Sequence, residues 1–486
     1  MKKIAILTAL VISILQGYSQ TADDALRYSQ DFYNGSARNM SMGSAFSTPG
    51  ADFSAASINP AGLGLYRGDE MSITPQLNFR NSESEYNGGY GSDNQSVFSL
   101  GQFAMVMTQK LYPAKSSGWK YFQFSFGMNR LSNFNTSLTM AGNNYYNSKI
   151  DVYLKYANGI NYKDIEEDYY GDYAFDLKPA WDLYLLDTIP GYTDQYYSPV
   201  PPGGFLQREI INSDGSKNEY GFSFSGNYND FLYLGATIGM PYIRYFSTSA
   251  FSETDIADTI PTFNSWGITQ YLQTTGWGIN LKIGVIVRPV SWLRIGAAFH
   301  TPTYYYNMRD TWHTTTYADL PGLSPAESTS PVGNFNYSFT TPLKAIGSAA
   351  ITILKNGIIS LEYEFTDYST ARFKERGVDY SQPNGDINQY YTKAGNIRTG
   401  AEWRFGILSL RGGYSYYGSP YKNTDIASRS FISGGIGLNL NNFIFDFAFV
   451  HSNWKEQYYM YSFENMNPVN NSFTENSFSV TIKARY

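Results

Sequence analysis

Residues able to do covalent or metal chemistry are few in this chain. Its 486 residues hold no Cys and three His. The missing thiols exclude disulfide staples, thiolate metal sites, a Cys nucleophile and an N-terminal lipid anchor. His300 and His451 fall at the outer ends of predicted strands and His313 in a loop, where solvated rim positions are expected. An exposed imidazole can ligate iron, and a hydrolase needs a His within reach of a Ser. Serines abound, yet no motif pairs one with these histidines, so no catalytic residue, metal ligand or cofactor is assigned. The acidic run Asp164, Glu166, Glu167, Asp168 and Asp172 lacks the spacing of a calcium loop and reads as a solvated loop face.

A different constellation remains. Glu362, Glu364, Arg398, Glu402, Arg404 and Arg411 fall at alternating positions of neighbouring predicted strands. Side chains two apart on a strand share a face, so these charges are expected to form a buried polar ladder lining a lumen. Such a ladder would position an internal segment of chain; contact with a ligand carboxylate is its alternative role.

The elements carrying them must then be strands of a particular kind. The C-terminal stretch "NSFSVTIKARY" puts Phe478, Val480, Ile482, Ala484 and Tyr486 on one face and Ser479, Thr481, Lys483 and Arg485 on the other. "NFIFDFAFVH", "YFQFSFGMN" and "NIRTGAEWRF" repeat this period of two. Strands are expected near 70–79, 96–109, 119–129, 219–228, 231–247, 268–288, 291–300, 343–354, 357–366, 396–405, 408–417, 430–440, 442–451 and 476–486, about fourteen in all. Tight turns at Asn229-Asp230, Pro289-Val290, Asn356-Gly357, Gly406-Ile407 and Asn441 alternate with long polar segments at 130–218, 248–267, 301–342, 367–395 and 452–475. Short turns on one side, long loops on the other and an even strand number describe an all-β fold, a transmembrane antiparallel β-barrel. Tyr304, Tyr305, Tyr306, Tyr414, Tyr416, Tyr417, Tyr458 and Tyr459 cluster at strand ends, where amphipathic rings sit at headgroup level. A net charge of −6 without a Lys/Arg cluster argues against nucleic acid as a partner.

Two segments precede the wall. Residues 1–19 read as a signal peptide: Lys2 and Lys3, an apolar run from Ile4 to Leu15, then Gly17 and Ser19. Residues 20–69 lack alternation and are crowded with Gly, Ala and Ser between Gly35 and Gly64. Small residues let backbone pack on backbone, so this stretch is expected to fold as a plug inside the lumen. Asn59-Pro60-Ala61-Gly62 would be a turn within it, with Gly62 and Gly64 free to take positive φ. The barrel occupies 70–486, with a long outer insertion at about 130–218.

The stretches "GSARNMSMGSAF" (35–46), "SINPAGLGLYR" (57–67), "GAAFHTPTYY" (296–305), "LEYEFTDYS" (361–369) and "IRTGAEWRFGILSLRGGYSYYGSPY" (397–421) resemble the FadL/TodX-type outer-membrane transport proteins, in the form widespread in Bacteroidetes and sometimes labelled haem receptors. The resemblance implies a fourteen-stranded barrel in the outer membrane of a Gram-negative bacterium, closed by an N-terminal hatch. It implies no enzyme, but passive uptake of hydrophobic small molecules such as long-chain fatty acids or aromatic hydrocarbons. Asn59, Pro60, Ala61, Gly62 and Gly64 then become gating residues. The terminal aromatic Tyr486 resembles the signal read by barrel-assembly machinery. The insertion is a departure: Phe175, Trp181 and Leu183 would offer a collecting surface for apolar ligand, or else a cluster that holds the loop together. Some relatives carry no ligand and serve a protein-secretion machine, so a docking barrel is the second expectation; an outer-membrane enzyme would require a His-Ser pair on the outer wall.

Overall fold

A computed structural model describes residues 20–32, 34–111, 118–464 and 466–486; the expected signal peptide lies outside these. Burial is inverted relative to a soluble protein. On the first strand Glu70, Ser72, Thr74, Gln76, Asn78 and Arg80 are buried, whereas Met71, Ile73, Leu77 and Phe79 are exposed. A polar interior and an apolar outer belt are what a lipid-embedded barrel requires.

The wall has fourteen antiparallel strands. They are β1 (Glu70–Tyr86), β2 (Gly89–Lys110), β3 (Trp119–Asn133, continued by Thr136–Asn144), β4 (Phe205–Tyr228), β5 (Leu232–Thr254), β6 (Ser265–Val290) and β7 (Leu293–His300, continued by Tyr304–Asp319). There follow β8 (Gly333–Thr340, continued by Lys344–Ile353), β9 (Gly357–Asp367), β10 (Lys393–Phe405), β11 (Leu408–Tyr417), β12 (Arg429–Leu440), β13 (Phe443–Tyr458) and β14 (Val469–Arg485). Each pairs with the next, and β14 closes on β1 from Arg485↔Glu70 to Asn470↔Glu85. The wall thus closes on itself, with neither its first nor its last strand left as an edge.

Turns at Asn229-Asp230, Gly406-Ile407 and Asn441 fall where expected, with positive φ at Asn229, Asp230, Gly406 and Asn441. Two others shift. Strand β6 runs through Pro289 and Val290 and turns at Ser291-Trp292, and the β8–β9 turn is Leu354–Asn356 with φ 54° at Leu354. Several strands run far beyond the predicted ends: β4 begins at Phe205 and β1 reaches Tyr86. Outside the membrane both faces of a strand are polar, so the apolar alternation that marks a strand fades before the strand does. Strands β1 and β2 even meet in a two-residue outer turn, Asn87-Gly88, with φ 46° and 79°, although an Asn-Gly step is a strong hairpin signal. The aromatic girdle is thinner than predicted: Tyr304, Tyr306 and Tyr414 face outward, but alternation turns Tyr305 and Tyr417 inward, where they are buried.

Residues 145–204 stopper the outer mouth. Helices Lys149–Ala157, Tyr162–Glu166 and Leu177–Asp182 pack Ile150, Tyr153, Leu177 and Leu185 against inward-facing wall residues such as Met140, Phe205, Phe251 and Trp266. The first helix is tied down by charge: Glu253 of β5 accepts hydrogen bonds from Ser148 Oγ (2.5 Å), Lys149 N (3.0 Å), Gln207 Nε2 (2.8 Å) and Trp266 Nε1 (2.6 Å). A carboxylate with four donors satisfies its buried charge.

This stopper carries a pH-sensitive joint. Asp176 caps the helix Leu177–Asp182, and burial pushes its carboxyl up to about 7 despite the Leu177 N–H, with Lys149 opposing and Asp172 and Asp168 adding to the rise. A carboxyl raised on folding contributes stability that is complete below its unfolded value near 3.8 and is lost as pH rises towards 7. Amide protection factors in 149–186 should therefore fall between pH 5 and pH 8, and Asp176→Asn should flatten that dependence while keeping the cap. Equal pH profiles for both proteins in hydrogen exchange would refute the assignment.

Candidate functional site: the N-terminal segment and the lumen

The segment from Gln20 to Tyr66 lies within the barrel and touches inward-facing side chains on all sides. Helices Ala22–Ser29 and Ala37–Ser41, a short helix Ala55–Ile58 and a 3₁₀ turn Pro60–Leu65 give it little regular structure. Its backbone groups are satisfied by turns within the segment, such as Ala51 N to Gly62 O and Ser44 N to Asn39 O, and by the wall, as buried polar groups must be. Ala37 N donates to Thr481 Oγ1 (2.7 Å), Gly43 N to Ser433 Oγ (3.0 Å) and Ser47 N to Glu362 (2.8 Å). In return, Ser415 and Ser360 donate to the carbonyls of Gly43 (2.5 Å) and Ala45 (2.7 Å).

Asn59, Pro60, Ala61, Gly62 and Gly64 sit at its base. Asn59 caps the 3₁₀ turn: its Oδ1 accepts from Ala61 N (3.1 Å), while Nδ2 donates to Ser47 Oγ (3.1 Å) and the Val285 carbonyl (3.4 Å). Pro60 at the first helical position forfeits a donor that would have had no partner. The turn lies flat on paired glycines of β5 and β6, Gly235 and Gly284. Gly64 lies against the Gly226 carbonyl, where a Cβ would stand 3.0 Å from the oxygen.

All six ladder charges come together in two knots. Arg398, fully buried, forks between Glu362 (2.6 Å) and Glu364 (2.9 Å) on β9. Glu402 gathers Arg404 (2.8 Å), Arg411 (2.7 Å) and, from the N-terminal segment, Arg38 (2.8 Å). Arg411 continues to Asp446 (2.7 Å), and Lys483 joins Asp446 (3.5 Å) to Asp52 of the segment (2.6 Å). The bidentate guanidinium geometry suits such desolvated sites. Arg404 differs from the others, since its side chain is 54% exposed at the inner rim.

Towards the outer end of the segment the wall is interrupted. Strand β7 breaks at Thr301–Thr303 around Pro302 and β8 at Thr341–Leu343 around Pro342, while β5 carries Pro241 between its pairings at Gly239↔Asn280 and Tyr242↔Trp277. Proline cannot donate to a ladder, and three at one level leave a seam. Behind it lies a cavity of about 20 Å³ lined by Asp31, Lys217, Glu219, Lys282, His300 and Lys344. Of these, the sequence reading singled out His300 alone, as a rim residue, although Lys217 and Glu219 continue the alternation of β4 and the Thr-Pro steps flag the breaks.

The histidines are not all rim residues. His300 is buried, with Nε2 2.8 Å from the Ile58 carbonyl. His313 lies on β7, stacked on Tyr271, and His451 contacts Asn476 (2.8 Å). In the stopper, Leu183 is buried, Trp181 stacks on Tyr162 and Phe175 lies against Trp312. These three serve the packing of the insertion; Leu183 also lines, with Tyr184, Ala318, Leu320 and Leu323, a cavity of about 150 Å³.

No protein-family model matches the sequence. No curated protein matches it. Solved structures do match in fold. A Pseudomonas aeruginosa FadL homologue aligns at TM-score 0.55 and 12% identity over 94% of this chain and 99% of that one. The toluene transporter TodX of P. putida aligns at TM-score 0.54 and 11% identity (94% and 99%), and the Ralstonia pickettii toluene transporter TbuX at 0.51 and 15% (93% and 98%). At these identities the likeness is one of fold, and the fold is that of FadL/TodX-type outer-membrane channels.

Proposed function

We propose that this protein is an outer-membrane channel for passive uptake of small hydrophobic molecules, with residues 20–66 as the plug. The observation carrying this reading is the inverted barrel whose lumen is filled by its own N-terminal segment, held by reversible polar contacts. Apolar contacts of Phe46, Phe53 and Leu63 with the wall add to these, and the hydrogen bonds among them can be exchanged with a ligand or water at little net cost. Apolar molecules would enter at the outer cavity beside Leu183, whose size suits a single ring. They would pass the Asn59–Gly64 turn region and leave through the seam at Pro302 and Pro342. The toluene transporters TbuX and TodX, similar in fold, support the hydrophobic class. Export by the signal peptide and assembly through the strand ending at Tyr486 complete the proposal.

Native mass spectrometry with lipid extraction, on the intact barrel and on a variant lacking residues 20–64, tests it. A fatty acid or other apolar molecule should co-purify with the intact form and be lost without the segment. An empty intact barrel that retains a protein partner through its outer loops would favour the docking alternative. One feature supports that second reading: Tyr145, Tyr146, Tyr169 and Tyr170 are more than half exposed on the outer stopper.

A further inference from the structure

We propose that the outward face of strands β5 to β10 binds the phosphate groups of an outer-leaflet glycolipid through Arg244, Arg309, Arg372, Lys374 and Lys393, and that the bound lipid clamps the wall above its proline breaks. The site faces lipid and not the lumen, so it stands whether or not a ligand passes through the channel.

All five side chains are exposed, and strand alternation turns them away from the lumen. Their chain neighbours Ile243 and Tyr245, Met308 and Asp310, Phe373 and Ala394 are the buried, inward ones. Arg244 lies opposite Thr275 of β6, Thr275 opposite Arg309 of β7, and Arg309 opposite Asn336 of β8. Further along β8, Ser338 pairs with Lys374 and Thr340 with Arg372, on the three-residue strand Arg372–Lys374. Lys393 opens β10 opposite Asp367.

Aromatic residues fix the depth of this row. Phe231, Trp292 and Phe405 are exposed at the inner turns. On the outer side Tyr242 and Trp277, with ring centroids 4.6 Å apart, and Tyr304 and Tyr306 share the outward face. The stretch from Phe231 to Tyr242 matches the ~9–11 residues with which a strand crosses the hydrocarbon, and aromatic rings gather at both of its boundaries. Arg244 is the next outward residue after Tyr242, and Lys393 stands at a similar remove from Phe405. These cations therefore meet the membrane where lipid phosphates lie.

Their charges lack protein partners. Inward lysines such as Lys217, Lys282 and Lys483 are each matched by a carboxylate. Among the described residues none of the five outward cations forms an ion pair. The Arg244 guanidinium rests over Phe246 (4.6 Å), Arg309 donates to Asn334 Oδ1 (3.0 Å), and Arg372 donates to the carbonyls of Ser369 and Ala371 (2.6 Å each). All of these contacts are neutral. Asp214 and Asp367 share the outward face without pairing to any of them, and Asp367 is engaged by Ser369. Across the barrel the pattern differs: Lys455 of β13 lies opposite Ser472, and Ser472 opposite Glu83 of β1, so that row holds both signs.

Spacing selects the headgroup. Neighbouring strands stand about 4.8 Å apart, so Arg244, Arg309 and Lys374, each two strands from the next, are separated in turn by about 10 Å. That is wider than one phosphate reaches and suits a sugar headgroup phosphorylated at more than one position. The guanidinium fork matches phosphate oxygens bidentately, and each cation at an anionic leaflet should strengthen binding about fivefold. The same strands carry Pro241, Pro302 and Pro342, where the ladder is interrupted. A lipid tied at once to β5, β7 and the strand beyond β8 bridges those breaks from outside.

The test uses the full mature barrel in mild detergent, with bisphosphorylated lipid A, its dephosphorylated form, phosphatidylglycerol and inorganic phosphate as probes. Native mass spectrometry reads retention, and the temperature at which the folded gel band disappears reads the clamp. Bisphosphorylated lipid A should bind at least tenfold tighter than each other probe and raise that temperature. The triple variant Arg244→Gln, Arg309→Gln, Lys374→Gln should lose at least tenfold in lipid A affinity, and with it the rise, while Lys455→Gln keeps both. Equal retention of the phosphorylated and dephosphorylated forms, undiminished binding by the triple variant, or displacement by millimolar inorganic phosphate overturns the site. Phosphatidylglycerol binding as tightly as lipid A overturns the glycolipid assignment, and lipid A binding without a rise in temperature overturns the clamp. If the triple variant does not fold, the wild-type comparison of lipid A with its dephosphorylated form decides alone.

Discussion

Replacing Arg398 by methionine should be among the most damaging single changes in this barrel. The guanidinium is placed between Glu362 and Glu364, and all three side chains are essentially inaccessible. Removing one partner of a buried ion pair leaves uncompensated charge, at a cost of about 3–5 kcal/mol; here two carboxylates lose the cation between them. Glu362 also accepts the Ser47 amide, so the loss should loosen the N-terminal segment as well as the wall. The expected result in Arg398→Met is a lower urea midpoint and faster exchange at Ser47. Arg404→Ala provides the contrast. Its side chain is 54% exposed, and the buried Glu402 keeps Arg38 and Arg411 when it is lost, so the change should cost about 0–1 kcal/mol and its midpoint should stay near wild type. Adding Glu362→Gln and Glu364→Gln to Arg398→Met should recover much of the loss, because neutral amides in that site leave no charge to neutralise. A midpoint for Arg398→Met equal to that of Arg404→Ala would show that the ladder does not hold the barrel together.

How much of this was legible beforehand follows from where each signal comes from. Strand β14 was plain because Phe478, Val480, Ile482 and Ala484 face lipid while Ser479, Thr481 and Lys483 face the lumen, and that contrast is written directly into a period of two. The same logic placed Arg398 and Glu402 on one face. It failed where the environment outside the strand changes: the polar outer half of β4, from Phe205 to Lys217, looks like loop because neither face meets lipid. The Glu402 knot was half visible, since Arg404 and Arg411 are its near neighbours, but Arg38 comes from 364 positions away in the chain. No pattern of local spacing encodes such a partner. The ion pairs of Asp31 with Lys217 and Lys344 were hidden for the same reason, since the three lie between the first two helices, on β4 and on β8. His300 was misread as a rim residue because strand β7 continues past it, beyond the break at Pro302, placing the imidazole well inside the wall.

The glycines beneath the Asn59-Pro60 turn lead to the second large effect. Gly235 and Gly284 face each other across β5 and β6. A Cβ on Gly284 would stand 1.9 Å from Asn59 Oδ1 and 3.2 Å from Pro60 Cδ; one on Gly235 would stand 2.3 Å from Pro60 C. Neither strand glycine has the positive φ that would forbid a side chain, so the clash falls on the turn and not on the wall. Normal carbon contacts begin near 3.5 Å, and the turn must therefore move by more than about 1 Å, breaking its bonds to Ser47 and Val285. Overpacking of this kind costs about 1–3 kcal/mol, which the barrel's ladder hydrogen bonds can absorb more readily than the few contacts of the turn. Gly284→Ala should consequently still show the heat-modifiable gel mobility of a folded barrel, yet admit a small sugar into proteoliposomes several-fold faster than wild type. Gly347→Ala is the matched control, because a Cβ there meets nothing within 4 Å; its swelling rate should equal wild type. If Gly284→Ala stays as tight as Gly347→Ala, the turn is not the seal, and the barrier must lie in the stopper formed by residues 145–204.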